Sequence, residues 1–352
     1  MWGGPHSRRR RRADDGKLPL DASQRSENVQ DRARSNPIST GTSPSVAILL
    51  ATFNGARHLQ DQLASISAQT YQGWHLIAAD DGSEDNTLAI LEQFSDQHPG
   101  RVSLLNGPST GSARDNFLHV LEHAPHAAYY AFCDQDDVWK PQKLALLVEA
   151  CQQVENETSS DTPCAVYSDL AVVDENLEVL APSFMEHIAV DPLGISLGSL
   201  LVENSIPGCA MLFNDCLRST FSKYAGPFDD VVMHDWWIAL IAKALGRLDF
   251  VNAPLVAYRQ HATNALGAVQ RRGLRFILGK LTVANPEIHG ALRQGRLFAS
   301  AFGCLTTGSA TATLADMASL SGKSKLQRIR IYIRSGILKQ SLGRRIYQFL
   351  SG

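Results

Sequence analysis

Three times in the first half of the chain a largely apolar run of six residues stops at a polar cluster: Val46–Ala51 at Thr52-Phe53-Asn54-Gly55, Trp74–Ala79 at Asp80-Asp81-Gly82-Ser83, and Ala128–Cys133 at Asp134-Gln135-Asp136-Asp137. Runs of this length with turn-forming ends read as strands. Segments of helical period lie between and after them. Leu59, Leu63 and Ile66 share one face; after a short run Val102–Leu105, so do Ala113, Phe117, Val120 and Leu121; Leu144, Leu147, Val148 and Cys151 follow Pro141, which suits a first helical turn. This alternation predicts an α/β fold with a mainly parallel sheet covered on both faces. In open sheets of this kind ligands bind beyond the strand C-termini, so the three polar clusters are expected to meet in one crevice.

The second half is mixed. Ala165–Ser168, Cys209–Phe213 and Leu248–Val251 are strand-like, and helices are expected near Ile195–Val202 and over Asp235–Leu245. These elements would extend the same sheet and add a second lobe. The helix containing Trp236, Trp237, Ile238, Leu240 and Ile241 is apolar nearly all round, so it is expected to be deeply buried with Asp235 held at the rim of the core. Asp229 and Asp230 fall in the turn before it.

The 352 residues are 44% hydrophobic and 19% charged, enough for one large or two modest domains. The longest apolar runs are far short of the roughly 18 to 20 residues a membrane span needs. The basic run Arg8–Arg12 is followed by polar and acidic residues rather than an apolar segment, so it does not read as a secretory signal, and the chain is expected in the cytoplasm. Six cysteines, Cys133, Cys151, Cys164, Cys209, Cys216 and Cys304, contain no C-x-x-C pair, which argues against a zinc finger or a disulfide scaffold. Residues 1–43 lack apolar periodicity and read as a disordered leader; a start codon assigned too far upstream would look the same.

The net charge of −2 conceals a dipole: Gly267–Gly352 holds 14 Lys and Arg against Glu287 and Asp316, about +12, leaving about −14 on residues 1–266. Lys325–Phe349 is expected to be helical, with Leu326, Ile329, Ile333 and Ile337 on a stripe that Arg330 approaches. Such a basic helix suits the surface of an anionic membrane, or docks on the acidic remainder of the chain. Nucleic-acid binding is disfavoured, because no fold motif or aromatic-basic platform accompanies the charge.

Asp134 and Asp136, two residues apart at a strand end, can face one cleft and offer oxygen ligands to Mg²⁺ or Mn²⁺. A solvated turn or a helix cap is the bland alternative. A phosphotransferase of the D-x-D-x-T type needs Thr or Val where Val138 stands, so it also stays open.

Together, Leu50-Ala51-Thr52-Phe53-Asn54-Gly55, Ser67-Ala68-Gln69-Thr70-Tyr71, Ala79–Thr87 and Asp134-Gln135-Asp136-Asp137 resemble the inverting family 2 glycosyltransferases. The resemblance runs from Val46 to Gly267. It continues through Asn204-Ser205-Ile206-Pro207-Gly208-Cys209, His234-Asp235-Trp236-Trp237 and Tyr258-Arg259-Gln260-His261, which look like the bacterial rhamnosyltransferases of O-antigen and related surface polysaccharides.

The resemblance implies a GT-A fold, a mixed and mainly parallel α/β sheet, over residues 44–267, with a basic helical extension over residues 268–352. It implies that Thr52, Asn54, Asp80 and Asp81 hold the donor nucleoside, a carboxylate accepting the base N3–H; Asp81 or Ser83 could instead cap the next helix. Gly111, Ala113, Arg114 and Asn116 match a Gly-x-x-Ala-Arg-Asn stretch interrupted by Asp115. Arg114 would contact the diphosphate or sugar at a helix N-terminus, or else be a surface arginine. Asp134 and Asp136 would bind a divalent metal, Mg²⁺ or Mn²⁺, at the diphosphate, with His261 a further ligand or simply a hydrogen-bonded loop histidine.

Asp235 would be the catalytic base, a role compatible with capping its helix. Of Trp236 and Trp237, one would line the acceptor cleft if it is not core; Trp236 is taken as the contact. The implied reaction is inverting, metal-dependent transfer from a nucleotide-diphospho-sugar, dTDP-L-rhamnose foremost, to a hydroxyl of a growing surface polysaccharide or polyprenyl-linked glycan. Peripheral membrane contact would come through the tail. The alternatives are a UDP-sugar donor, a metal-dependent nucleotidyl- or phosphotransferase, and a non-catalytic nucleotide-sugar scaffold.

Overall fold

Strand β1 (Val46–Thr52) is buried at every position, the pattern of a strand covered on both faces. It lies between β2 (Trp74–Asp80) and β4 (Tyr129–Cys133), parallel to both, and β3 (Val102–Asn106) pairs parallel with β2. The chain thus reverses its direction of travel across the sheet at β1, the switch point beyond whose strand ends ligands bind in open sheets of this kind. Thr52 stands in register with Asp80, and Leu50 with Cys133. The three polar clusters therefore share one edge.

The computed structural model describes residues 45–260 and 286–351. Among these, β5 (Val138–Trp139), β6 (Cys164–Val173), β7 (Val179–Ala181), β8 (Met211–Asn214) and β9 (Arg247–Arg259) complete a sheet ordered β3-β2-β1-β4-β8-β6-β9-β5, with β7 beside β6. β8 runs antiparallel to β4 and β6, while β9 runs parallel to β6 from Cys164 to Val173. The sheet is mixed, and its long ladders are parallel, as expected.

Helices α1 (Leu59–Ser67), α2 (Thr87–Gln97) and α4 (Lys143–Glu157) cover one face of the sheet; α3 (Ala113–His123) and α5 (His234–Leu245) cover the other. β1 shows how strand alternation feeds both layers: Val46, Ile48 and Leu50 enter the first core, Ala47, Leu49 and Ala51 the second. Leu144, Leu147, Val148 and Cys151 are buried as their spacing predicts, but Ala113 is exposed because it opens the first turn of α3.

Three expectations are corrected between residues 195 and 259. The strand expected over Leu248–Val251 extends from Arg247 to Arg259, because it pairs with β6 on one side and β5 on the other. The helix near Ile195–Val202 is a single turn, Leu197–Leu200, closed by a Ser196–Ser199 capping box. Cys209 and Ala210 form a 3₁₀ turn before β8.

The tail is not one helix. After α6 (Pro286–Phe302) and α7 (Gly308–Ala318), α8 (Lys325–Arg334) and α9 (Leu342–Ser351) are separated by a connection in which Gly336 has φ +63°, a left-handed conformation that ends helices. Phe298, Phe302, Met317, Tyr332 and Ile337 are buried in the same core as Trp237. No helix among the described residues is long and apolar enough to cross a membrane. Residues 1–43 and His261 lie outside the described residues.

Candidate active site

The ends of β1 and β2 are joined by hydrogen bonds that the polar clusters make among themselves. Asp80 is buried, and its carboxylate accepts from Thr52 Oγ1 (2.8 Å), Ser83 N (2.8 Å), Ser83 Oγ (2.6 Å) and Gly82 N (3.2 Å). Asp81 accepts from Thr110 N (3.1 Å) and Gly111 N (2.7 Å), which fixes the loop ahead of α3. Both aspartates of the expected nucleoside site thus shape its walls. Asn54, at φ +48°, is exposed and accepts from Glu84 N at 2.9 Å. Asn116, on α3, donates to the carbonyls of Ala79 (3.0 Å) and Thr52 (3.2 Å).

Gln135, the residue between the expected metal ligands, clamps the end of β1 to the end of β4. It accepts from Phe53 N (2.9 Å) and donates to Phe53 O (3.0 Å), a two-point match to one peptide. The spacing of the two aspartates drew attention to them, but a residue between two acids leaves no sequence signal of this kind.

The Asp134–Asp137 turn has an open side and a sealed side. Asp134 and Asp136 are half-buried toward the cleft, whereas Asp137 is fully buried. Burial, with Asp136 and Asp235 nearby, pushes the Asp134 carboxyl up to about 7. Asp134 reaches both sides: one of its oxygens, an Asp137 oxygen and the Cys209 sulfur lie within 4.8 Å of one another. The buried Lys143 ammonium donates to Cys209 O at 2.6 Å and stands 3.1 Å from the centroid of the Trp139 ring.

A soft thiol beside an ammonium is a poor match for a hard cation, while the two carboxylates on the open side suit one. Their mutual repulsion with Asp235 is the kind of excess negative charge that Mg²⁺ or Mn²⁺ would offset.

Two residues of this underside were missed as site residues. Lys143 stands in the first turn of α4, where a cation opposes the helix dipole, and that misplacement was its one clue. Arg259 is 2% exposed. Its backbone N–H donates to Asp137 Oδ1 (3.1 Å), its Nε to Asp136 O (2.8 Å) and its Nη2 to Asp61 Oδ2 (3.0 Å), and Nη1 reaches the Glu175 carbonyl.

Asp235 is the second residue of α5 and lies near enough to the same turn for its charge to act on Asp134. Its Oδ2 accepts from Gly208 N (3.0 Å), its Oδ1 from Trp236 N (2.6 Å), and the Asn204 side chain donates as well. Burial outweighs these bonds and raises its carboxyl to about 6. His234 beside it is buried, stacked on Phe117 at 4.0 Å, and held neutral by burial, which lowers it to about 3.

The structure departs from expectation at the tryptophans. Trp236 is 7% exposed with its indole N–H given to Leu200 O, and Trp237 packs on Phe298, so both are core residues. Arg114 also turns aside: its Nε meets Asp115 (2.7 Å) and its Nη1 the carbonyl of Val231 (2.9 Å), on the loop that holds exposed Asp229 and Asp230.

A mixed sheet with a switch point at β1, a D-x-D turn at the end of β4 and a buried aspartate at a helix start fits a GT-A fold. Residues 47–167 match the family model described as Glycosyl transferase family 2. The chain is 25% identical over 227 residues to the dTDP-rhamnosyl transferase RfbG of Shigella flexneri, covering 62% of this chain and 74% of that protein. It is 26% identical over 196 residues to the UDP-Glc:alpha-D-GlcNAc-diphosphoundecaprenol beta-1,3-glucosyltransferase WfgD of Escherichia coli, covering 56% and 69%. In fold it is similar to S. aureus TarS, with a TM-score of 0.51 and 15% identity over 83% of this chain and 48% of that one. These matches mark residues 47–167 as a family 2 glycosyltransferase domain and the chain as a glycosyltransferase.

Proposed function

We propose that the protein transfers a sugar from a nucleotide-diphospho-sugar, with inversion, to a hydroxyl of a growing surface polysaccharide or lipid-linked glycan. The convergence of Asp134 and Asp136 with Asp235, close enough for their charges to raise Asp134, carries this reading. Asp235 takes the proton of the acceptor hydroxyl; that oxygen bonds to the anomeric carbon as the bond from carbon to the diphosphate oxygen breaks. The Gly208 and Trp236 amides orient the carboxylate, and burial keeps its pKa near the working range.

Asp134 and Asp136, with His261 a further candidate, would hold a divalent cation that offsets charge on the leaving diphosphate. Thr52, Asn54, Asp80 and Asp81 would shape the nucleoside pocket, with Arg114 a candidate contact at the start of α3.

The donor we favour is dTDP-L-rhamnose, on the likeness to RfbG; the likeness to WfgD supports a UDP-sugar as the second choice and a polyprenyl-diphosphate-linked acceptor. Residues 44–267 form the catalytic domain and residues 268–352 its extension. The reaction is placed in the cytoplasm, at the inner face of the membrane where such an acceptor resides.

Thermal-shift titration with dTDP-, UDP- and GDP-sugars, with and without Mn²⁺, tests the reading. Cation-dependent stabilisation by dTDP-rhamnose, lost in Asp136→Ala, is the expected result. A response to UDP-sugars alone removes rhamnose, and no nucleotide response in folded protein removes the donor site.

A further inference from the structure

We propose that the outer face of the α8–α9 pair is a docking surface for an anionic lipid bilayer. The inference rests on the membrane-side placement proposed above and assigns it to particular side chains.

The sequence left two uses open for the basic tail, and the structure divides them between two faces of the same helices. The inner face is docked on the protein. Tyr332, Ile337 and Gln348 are buried, Arg344 meets Glu203 at 2.8 Å, and Arg334 pairs with Asp316. Among the described residues, the outer face has no such cover. On α8, Leu326 and Ile333 are 72% and 61% exposed; on α9, Leu342, Ile346 and Leu350 are 73%, 50% and 50% exposed.

Their spacing makes each set a stripe, since residues four and seven or eight apart lie on one side of a helix. Lys325 Nζ donates to Leu350 O at 2.6 Å, so the start of one helix meets the end of the other. Scattered single aliphatics on a surface are ordinary, but two adjoining stripes of large ones mark an interaction surface.

Charge identifies the partner. Residues 323–351 hold eight Lys and Arg and no Asp or Glu. Arg330 lies within the α8 stripe, between Leu326 and Ile333, and Arg345 lies beside Leu342 and Ile346. An aliphatic stripe containing arginines suits the boundary between acyl chains and headgroups, where the stem stays apolar and the guanidinium reaches a phosphate. A second copy of the same face would bring like charges together, and a nucleic acid would leave five aliphatics in water. Anionic lipid satisfies both components.

The docked face gives this surface a route to the chemistry. Arg344, Lys339 and Gln340 hold Glu203, and Gln340 also reaches Ser205, on either side of the Asn204 that hydrogen-bonds Asp235. A bilayer on the outer face would thus sit one packed layer from the elements that hold the base.

The test is co-sedimentation of the full chain with vesicles of phosphatidylcholine alone or mixed with phosphatidylglycerol, at low and high salt. Binding to the anionic vesicles is expected, weakened at least roughly tenfold by high salt or by omitting phosphatidylglycerol. The combined Leu342→Ser, Ile346→Ser and Leu350→Ser variant is expected to lose at least roughly tenfold in vesicle affinity at unchanged melting temperature, because these side chains are exposed. Leu326→Ser with Ile333→Ser repeats the test on the other helix if the first variant misfolds.

Vesicle binding that both sets of substitutions leave intact would overturn this surface while keeping a membrane location. No vesicle binding by the native chain would overturn both. The same would follow if these variants instead abolished self-association or RNA binding in a chain that ignores vesicles. Nucleotide stabilisation, measured on the same samples, reports the donor site separately.

Discussion

Arg344 Nη1 donates to Glu203 Oε1 at 2.8 Å, tying the last helix of the chain to the residue that precedes Asn204, whose side chain hydrogen-bonds Asp235. The C-terminal helices are therefore part of the frame around the proposed base. Gln340 N donates to the other Glu203 oxygen at 3.0 Å, and the Glu203 side chain is only 8% exposed.

Arg344→Gln should leave the buried Glu203 carboxylate under-paired. The expected loss is about 1–3 kcal/mol of stability, measured by urea unfolding. Turnover should fall with it while donor affinity stays at the native value, because the residues proposed for the nucleoside pocket lie at the ends of β1 and β2. Unchanged turnover would separate the tail from the base.

Asp235→Asn should reduce transfer roughly 100- to 10,000-fold, the usual worth of a positioned general base, with nucleotide affinity retained. The native enzyme should lose activity as pH falls through about 6, since burial raises this carboxyl and only its ionised form accepts a proton. The sign is fixed: rate rises with pH across that limb and levels above it. A flat profile between pH 5 and 7 in the presence of saturating cation and donor would contradict the assignment.

Gly208→Ala tests the geometry around the base without touching its charge. A Cβ at Gly208 would lie 3.0 Å from Asp235 Cβ and 3.3 Å from His234 Nε2, tighter than most side-chain contacts, so these neighbours must give by a few tenths of an ångström. The expected cost is about 1–3 kcal/mol. Single-turnover measurements should show a slowed chemical step with normal donor binding.

Arg259→Lys keeps the buried charge but cannot reproduce the fork that joins Asp136 O, Asp61 and Glu175 O. Leaving those partners unmet is expected to cost about 1–3 kcal/mol of stability. Because the Asp136 turn loosens, more Mn²⁺ should be needed to reach half-maximal nucleotide stabilisation. A stability loss with unaltered cation dependence would make Arg259 purely structural.

Much of the catalytic half was legible because its signals are local. Short apolar runs and acids at strand ends predict the four parallel strands β1 to β4 to within one residue, and the 3.6 period between them predicts that helices α1, α3 and α4 lie there, though not where they end. Asp134, Asp136 and Asp235 were legible as charged residues at the ends of apolar segments. The second half was less so: β9 runs 13 residues with a Pro and several polar positions, and only its partners β5 and β6 make it a strand. The tail looked like one helix, since its stripe continues past Gly336, where the φ of +63° turns the chain back.

The sequence by itself determined the alternation that forms the sheet, the edge at which the acids gather, and the family whose motifs those acids match. Each depends on residues within a few positions of one another, where periodicity and turn chemistry act. Only the tertiary structure decided what each polar group does. It directed Asp80 and Asp81 into loop bonds, turned Arg114 toward Asp115 and sank Trp236 into the core. It also placed Lys143 and Arg259 beneath the acidic turn. A side chain's hydrogen-bonding role depends on which partners long-range packing brings within about 3 Å, because a hydrogen bond weakens steeply with distance and misalignment, and burial strengthens the bonds that form.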